Sequence, residues 1–274
     1  MLEFQKYHGL GNDFIVCEPP AGGLPTSEII ALCRRHRGVG ADGVLVVEPV
    51  DVDGEQAVSM IVYNRDGSRP EMCGNGIRCV AAYARRRWNL GDEITIDTDA
   101  GVHRCYVEPL RGARSRVSVD MGAVVVDGDC SPVEVDGRRY DYIGVDVGNP
   151  HAVVFEHPEL SIIDRVGRAL NDGHRRFVKG VNVEFVDAEP GDDGRFQATV
   201  FERGVGRTEA CGTGACAVAS AVWETGRVAE DRPVDVELPG GVLTIEQRDQ
   251  SIWMTGQAEW LFCGTWRPDS TSEQ

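Results

Sequence analysis

The 274-residue sequence predicts an α+β protein of two related domains, each a mainly antiparallel sheet or barrel wrapped around one central helix. Three observations lead there. Short alternating stretches of strand type surround a few helical ones in each half of the chain. Two stretches nearly repeat each other: Met72-Cys73-Gly74-Asn75-Gly76-Ile77-Arg78-Cys79 and Ala210-Cys211-Gly212-Thr213-Gly214-Ala215-Cys216. Further matches sit at nearly constant offsets from them. Gly11-Asn12-Asp13-Phe14 resembles Gly148-Asn149-Pro150-His151, with Asn12 61 residues before Cys73 and Asn149 62 before Cys211. Tyr63 and Phe201 each stand ten residues before their cysteine. The period is too long for a solenoid, so the halves read as a duplicated domain that places its matching sites across a shared cleft.

In chain order, Leu2 to Tyr7 and Asp13 to Glu18 read as strands around a Gly-Leu-Gly-Asn turn. Ser27 is placed to cap a helix running to about Arg37, with Ile29, Ile30, Leu32 and Cys33 as its apolar stripe. Gly38-Val39-Gly40-Ala41-Asp42-Gly43 matches a dinucleotide-binding pattern in spelling only. It follows a helix and precedes a strand, whereas that motif needs strand, loop and then helix. The glycines therefore predict a helix C-cap and a turn. Val44 to Glu48 and Ala57 to Tyr63 are strands, and Arg65-Asp66-Gly67-Ser68 is a turn. The first cysteine helix spans Ile77 to Arg87. Glu93 to Asp97, Val102 to Glu108 and Arg116 to Asp120 follow as strands.

The second half repeats the scheme. Tyr140 to Val147 and Ala152 to Phe155 are strands, and Leu160 to Leu170 is a helix. Asn182 to Val186 and Gln197 to Phe201 precede the second cysteine helix, Ala215 to Glu224, which Gly226 stops. Val234 to Leu238, Val242 to Gln247 and Ser251 to Thr255 close the half. The expected domains are 1–122, carrying Cys73 and completed by 256–274, and 123–255, carrying Cys211. The polar stretch Val124 to Arg139 reads as the linker, and the tail from Pro268 to Gln274 as disordered.

Composition bounds the function. An apolar content of 42% supports a buried core. No apolar run reaches the length of a membrane span, and the first residues lack a signal-peptide pattern, so a cytoplasmic protein with no membrane partner is expected. The net charge of −16 argues against nucleic acid, which needs basic patches. Only Lys6 and Lys179 are lysines, which fits either a salt-rich cytoplasm or a genome that favours Arg and Asp codons. The nine cysteines are odd in number and include no Cys-x-x-Cys pair. Neither a disulfide framework nor a structural zinc is expected, and Cys33, Cys79, Cys105 and Cys216 read as core residues. The sequence does not show the oligomeric state, and a homodimer is left open.

Cys73 and Cys211 read differently, because each starts a helix. There the macrodipole and backbone N–H groups favour a thiolate and can hold a carboxylate. Two such sites predict two thiols facing one acidic small-molecule substrate. One thiolate and one thiol could remove a proton from one face of an α-carbon and return one to the other.

The chain resembles diaminopimelate epimerases along nearly its whole length. The resemblance rests on Lys6-x-x-Gly9-x-Gly11-Asn12-Asp13-Phe14, Asn64-x-Asp66-Gly67-Ser68, the Met72 to Cys79 stretch, Gly148-Asn149-Pro150-His151, Val181-Asn182, Glu202-Arg203-Gly204 and Ala210-Cys211-Gly212-Thr213-Gly214. It implies two pseudo-symmetric domains with the active site in the cleft between them. It also implies interconversion of LL- and meso-diaminopimelate in lysine and cell-wall precursor synthesis, with no cofactor and no metal. Cys73 and Cys211 match the acid–base pair, and His151 and Glu202 match positions important for catalysis. Asn12, Asn64, Asn149, Asn182, Glu202 and Arg203 fall where the family binds substrate. Gly74, Asn75, Gly212 and Thr213 would offer backbone N–H groups to the reacting carboxylate. In this chain Gly43 stands where well-known bacterial members carry Gln.

Other readings stay open on the residues alone. Asn12 and Asn149 could be turn residues, His151 a structural hydrogen-bonder, and Glu202-Arg203 a solvated charge pair. A proline racemase-like enzyme would use the same two thiols but has His where Asn75 stands. A thiol redox switch or a non-catalytic metabolite-binding protein would need no proton traffic at all.

Overall fold

A computed structural model describes residues 1–109, 112–127, 132–172 and 174–267. The chain packs as two compact units, Met1–Val119 with Gln257–Gln274, and Asp120–Gly256. The first unit contains β1 (Leu2–Gly9), β2 (Asn12–Cys17), α1 (Thr26–Cys33), β3 (Gly43–Val52), β4 (Glu55–Asn64), α2 (Gly74–Trp88), β5 (Glu93–Thr98), β6 (Gly101–Val107) and β7 (Arg114–Asp120). The second contains β8 (Val125–Asp127), β9 (Val133–Val135), β10 (Arg138–Tyr140), β11 (Ile143–Asp146), β12 (Pro150–Val154), α3 (Leu160–Asn171), β13 (Asn182–Val186), β14 (Phe196–Glu202), β15 (Gly206–Thr208), α4 (Gly212–Glu224), β16 (Val234–Leu238) and β17 (Gly241–Arg248). The last strand, β18 (Ser251–Trp266), gives its first residues to the second unit and the rest to the first.

In the first unit the strands run β1 to β7 in sequence order, then β18, which bonds back to β1 and closes the ring. β2–β3 and β4–β5 are parallel, and β1–β18, β1–β2, β3–β4, β5–β6 and β6–β7 are antiparallel. α2 packs against β1 to β6 inside this ring. Strand alternation separates two cores. Val44 and Val46 of β3 join Ile29, Leu32 and Cys33 of α1. Leu45, between them, reaches the first turn of α2 instead.

The second unit repeats the plan around α4. Its sheet runs β18–β17–β16–β14–β13–β12–β11–β8. The segment before β8 ties the two ends of that sheet together. Met121 N–H donates to Ile252 O on β18, Ile252 N–H donates to Gly122 O, and β8 itself pairs with β11. α4 packs against β8, β11, β12, β13, β16 and β17. α3 covers the other face, where Ala152, Val154, Val183, Phe185 and Phe201 form a core with Ile163, Val166 and Leu170.

Several expectations need correction. α1 ends at Cys33, not near Arg37, because Arg34 turns extended and the chain folds back, with Gly40 N–H on Leu32 O and Ala41 N–H on Cys33 O. Pro25, not Ser27, stands at its N-cap, and no side chain caps it. Both cysteine helices begin at their first glycine, three residues before the expected start. The expected linker Val124 to Arg139 carries β8, β9 and the start of β10. β9 and β10 pair across an Asp136-Gly137 turn with both residues at positive φ, a hairpin signal present in the sequence. Asp53-Gly54 likewise extends β3 and β4 past their expected ends. Cys130 and the tail from Pro268 lie outside the described residues.

Candidate active site

In the first unit Cys73 is the N-cap of α2, with φ −139° and ψ 112°. Extended backbone at that position points its side chain back over the first turn. The sulfur accepts the Gly76 N–H at 3.4 Å, and the Cys73 carbonyl accepts the Ile77 N–H at 2.9 Å. A Cβ on Gly76 would lie 3.1 Å from Leu45 Cδ2, so a larger residue there would have to displace that side chain by a few tenths of an ångström. Asn12 opens β2 directly after a two-residue turn, Leu10-Gly11, with both φ positive. Its amide Nδ2 donates to Asp42 Oδ2 at 3.1 Å. Its Oδ1 accepts from Asn75 Nδ2 at 3.3 Å and lies 4.0 Å from Cys73 Sγ. Asn75 Oδ1 accepts in turn from Arg78 Nη2 at 2.9 Å, and Arg78 is fully buried with Nη1 on Gly74 O.

Asn64 takes a different side-chain partner. It is exposed at the end of β4, and its amide donates to Ser68 Oγ at 2.9 Å within the turn that Asp66 also braces. Gly43 opens β3 between Phe14 and Asn64. A Cβ there would sit 2.5 Å from the Tyr63 carbonyl, so glycine is required by space and not by φ. Behind Asn12, buried Lys6 pairs with Asp13 at 2.5 Å, and Arg35 bridges Asp13 and Asp42 at 2.7 and 2.6 Å.

In the second unit Cys211 is the N-cap of α4, with φ −128° and ψ 112°. Its sulfur accepts the Gly214 N–H at 3.3 Å and meets Thr213 Oγ1 at 3.5 Å. Gly212 and Thr213 form the first turn, as Gly74 and Asn75 do in α2. On such a turn the backbone N–H groups point along the axis, away from intrahelical carbonyls. Register places His151 opposite Asn182 and Val153 opposite Glu184, and Glu184 opposite Val200. Alternation therefore puts His151, Asn182, Glu184 and Glu202 on one face, opposite the face that packs on α3.

The contacts within that group are specific. His151 Nδ1 lies 2.7 Å from Glu184 Oε1, and its Nε2 lies 3.0 Å from Asn149 Oδ1. Glu202 accepts from Thr208 Oγ1 at 2.6 Å. Asn182 Oδ1 accepts the backbone N–H of Arg203 at 2.9 Å, and exposed Arg203 turns its guanidinium to Lys179 O at 3.3 Å. Glu202 and Arg203 thus take different partners.

Burial drives the protonation of this site. It raises the Cys211 thiol well above its ordinary value, and the Glu202 and Glu184 carboxylates push the same way. Thr213 Oγ1 and the Gly214 N–H oppose them without prevailing. The helix N-terminus does favour the Cys211 thiolate, through the Gly214 N–H, but burial outweighs it. Burial also raises Glu202, helped by Glu184, against the pull of Thr208 and His151. Asp42, Glu184 and Thr208 join the site only in the structure. Glu184 left a sequence signal, a carboxylate inside the apolar strand Val181-Asn182-Val183-Glu184-Phe185, while Asp42 lay within a rejected glycine motif. Among the described residues no cluster of three or more His, Cys, Asp and Glu side chains could hold a metal, and no helix is long and apolar enough to cross a membrane.

Comparison with known proteins fits this arrangement. The family model for diaminopimelate epimerase matches residues 4–126 and 143–261. The chain belongs to the diaminopimelate epimerase family. The diaminopimelate epimerase of Desulforudis audaxviator is 42% identical over 284 residues, covering 97% of this chain and 99% of that one. Among solved structures, the Bacillus anthracis phenazine biosynthesis protein of the PhzF family superposes with a TM-score of 0.73 at 15% identity, covering 96% of this chain and 98% of that one. A probable proline racemase from Agrobacterium radiobacter superposes at 0.72, also at 15% identity, covering 99% and 94%. These two share the fold of this family member, an α+β architecture in which sheets enclose helices.

Proposed function

We propose that Cys73 and Cys211 are the base and the acid of a cofactor-independent epimerase that inverts one α-carbon of diaminopimelate between its LL and meso forms. The interconversion of diaminopimelate isomers in lysine biosynthesis is the family's reaction and this chain's, which makes it an isomerase. The observation that carries the mechanism is the matched placement of the two thiols. Each is the N-cap of its helix, and each sulfur accepts the N–H three residues on. Their settings differ. Burial and two neighbouring carboxylates raise the Cys211 thiol, whereas Cys73 is half-buried beside the Asn12 amide.

In this reading one sulfur takes the α-proton as a thiolate and the other delivers its own proton to the opposite face. The reverse reaction exchanges their roles. Charge that develops on the α-carboxylate is met by N–H groups at a helix start, Gly74 and Asn75 or Gly212 and Thr213, already aimed and needing no reorganisation. Asn12, Asn64, Asn149, Asn182, Glu202 and Arg203 supply polar partners for an amino-acid zwitterion. The product also serves cell-wall precursor synthesis, and the cytoplasm is the expected compartment.

The test is isotopic. In D₂O from LL-diaminopimelate, the early meso product should carry solvent deuterium at the inverted carbon, while recovered substrate carries much less. Cys73→Ala and Cys211→Ala should each abolish inversion. Early product that keeps its original α-hydrogen would point to one shuttling base. An alanine variant that inverts at the wild-type rate would remove that cysteine from the chemistry. Mass spectrometry or NMR of both isomers at low conversion reads the result.

A further inference from the structure

Glu184 is a fully buried carboxyl group in the second unit. Its side chain and that of His151 are both 0% exposed. It sits in a strand whose five residues are all buried. One oxygen meets His151 Nδ1 at 2.7 Å, while the other, Oε2, is buried with no hydrogen-bond partner among the described residues. A carboxyl group half-satisfied in an apolar strand lowers stability compared with an apolar residue of that size, so packing does not explain it.

Its position does. A Cβ built on Gly214 would lie 2.8 Å from Glu184 Oε1 and 3.3 Å from Cys211 Sγ, so the carboxyl lies just under the turn that carries the thiol. On its other side His151 passes the contact on to Asn149. Asn149 turns its amide oxygen to His151 Nε2, and an amide oxygen only accepts, so Nε2–H is the donor and the NH₂ end of Asn149 faces away from the ring as a donor. Asn12 is held the other way round, with its NH₂ on Asp42 and its oxygen toward Cys73.

We propose that Glu184 is a positioning residue for the epimerase reaction, fixing through His151 which end of the Asn149 amide meets substrate and standing as the charge beneath Cys211. This rests on the reading of Cys211 as one of the two proton-transfer groups. Asn149 then recognises an oxygen of the substrate, a carboxylate, while Asn12 presents an acceptor suited to an ammonium group. The groups that bear on Cys211 are Glu184 from β13 and Glu202 from β14, with His151 of β12 beside both carboxylates.

Two variants of the full-length chain test it. Glu184→Met removes the partner of Nδ1, and kcat/KM should fall about tenfold or more through misplacement of Asn149. Glu184→Gln can donate its amide to Nδ1 and hold the same tautomer, so it should recover most of that loss. Because it removes a charge facing Cys211, the thiol limb of its pH–rate profile should move to lower pH. Wild-type kcat/KM in the Met variant would overturn the proposal, as would an unshifted profile in the Gln variant. So would equal losses in both variants matched by equal losses of melting temperature, which a purely structural role would give. If the Met variant does not fold, wild-type protein with ¹⁵N-histidine decides. A proton bonded to His151 Nε2 and protected from exchange supports the proposal, and a bare Nε2 overturns it. Retained inversion in Cys211→Ala would sink the two-thiol mechanism instead, whereas a normal Glu184→Met beside an inactive Cys211→Ala sinks only this assignment.

Discussion

Asp42 decides which end of Asn12 faces Cys73. A carboxylate only accepts hydrogen bonds, and Asp42 Oδ2 takes the Asn12 amide at 3.1 Å. The Asn12 oxygen is thereby turned toward Asn75 and the thiol. Asp42→Asn can donate as well as accept, so this orientation is lost. KM for diaminopimelate should rise several-fold, with a smaller change in kcat. The loss of the Arg35 pair should cost only ~1 kcal/mol or less, because that guanidinium is half exposed. Steady-state kinetics and thermal unfolding separate the two effects. An unchanged KM would show that the orientation does not matter to substrate.

Asp13 makes stability depend on acid pH. Burial by itself would raise this carboxyl, but hydrogen bonds from Arg35 and Lys6 outweigh it and lower it from 3.8 to about 2. A depressed carboxylate stabilises the fold fully above its unfolded value and loses that contribution as pH falls through its folded value. The affected window is therefore pH 4 down to about 2, and the contribution is on the order of 2 kcal/mol. Denaturant melts across that window should show the decline, and Asp13→Asn should flatten it. Equal slopes in the two proteins would remove Asp13 from the account.

Gly43 cannot accept the Gln of well-known family members without local movement. The first side-chain atom would lie 2.5 Å from the Tyr63 backbone carbonyl on the paired strand. Gly43→Gln should therefore lower stability by about 1–3 kcal/mol, as overpacking does. Differential scanning calorimetry reads it directly. A melting temperature equal to wild type would mean that β3 and β4 part readily at this point.

The charge of −16 predicts a response to salt. Self-repulsion spread over the surface is screened at high ionic strength. Most of the ion pairs are exposed and contribute little, so they lose little when screened. The melting temperature should hold or rise from low salt to molar KCl, with activity retained. Precipitation or unfolding in molar salt would count against this.

The duplicated Cys-Gly-x-Gly stretches, and the strands repeated around them, determined the architecture in advance. Apolar periodicity and glycine punctuation are local, so α2, α4 and the inner strands could be read directly. The same locality marked Cys73 and Cys211, since a residue just before a glycine-led helix is an N-cap wherever the helix lies. Local patterns failed where the chain folds back on itself, at the end of α1, or where tight Asp-Gly hairpins made strands of a polar stretch that reads as a linker. What only the tertiary structure decided is how each site residue is held. Asp42 is 30 residues from Asn12, and Glu184 is 33 from His151. Strand register, not spacing, brings those pairs within hydrogen-bond reach. The state of Cys211 was likewise beyond the sequence. The helix N-terminus favours its thiolate, but burial beside two carboxylates is the larger effect, and burial is a property of the folded chain alone.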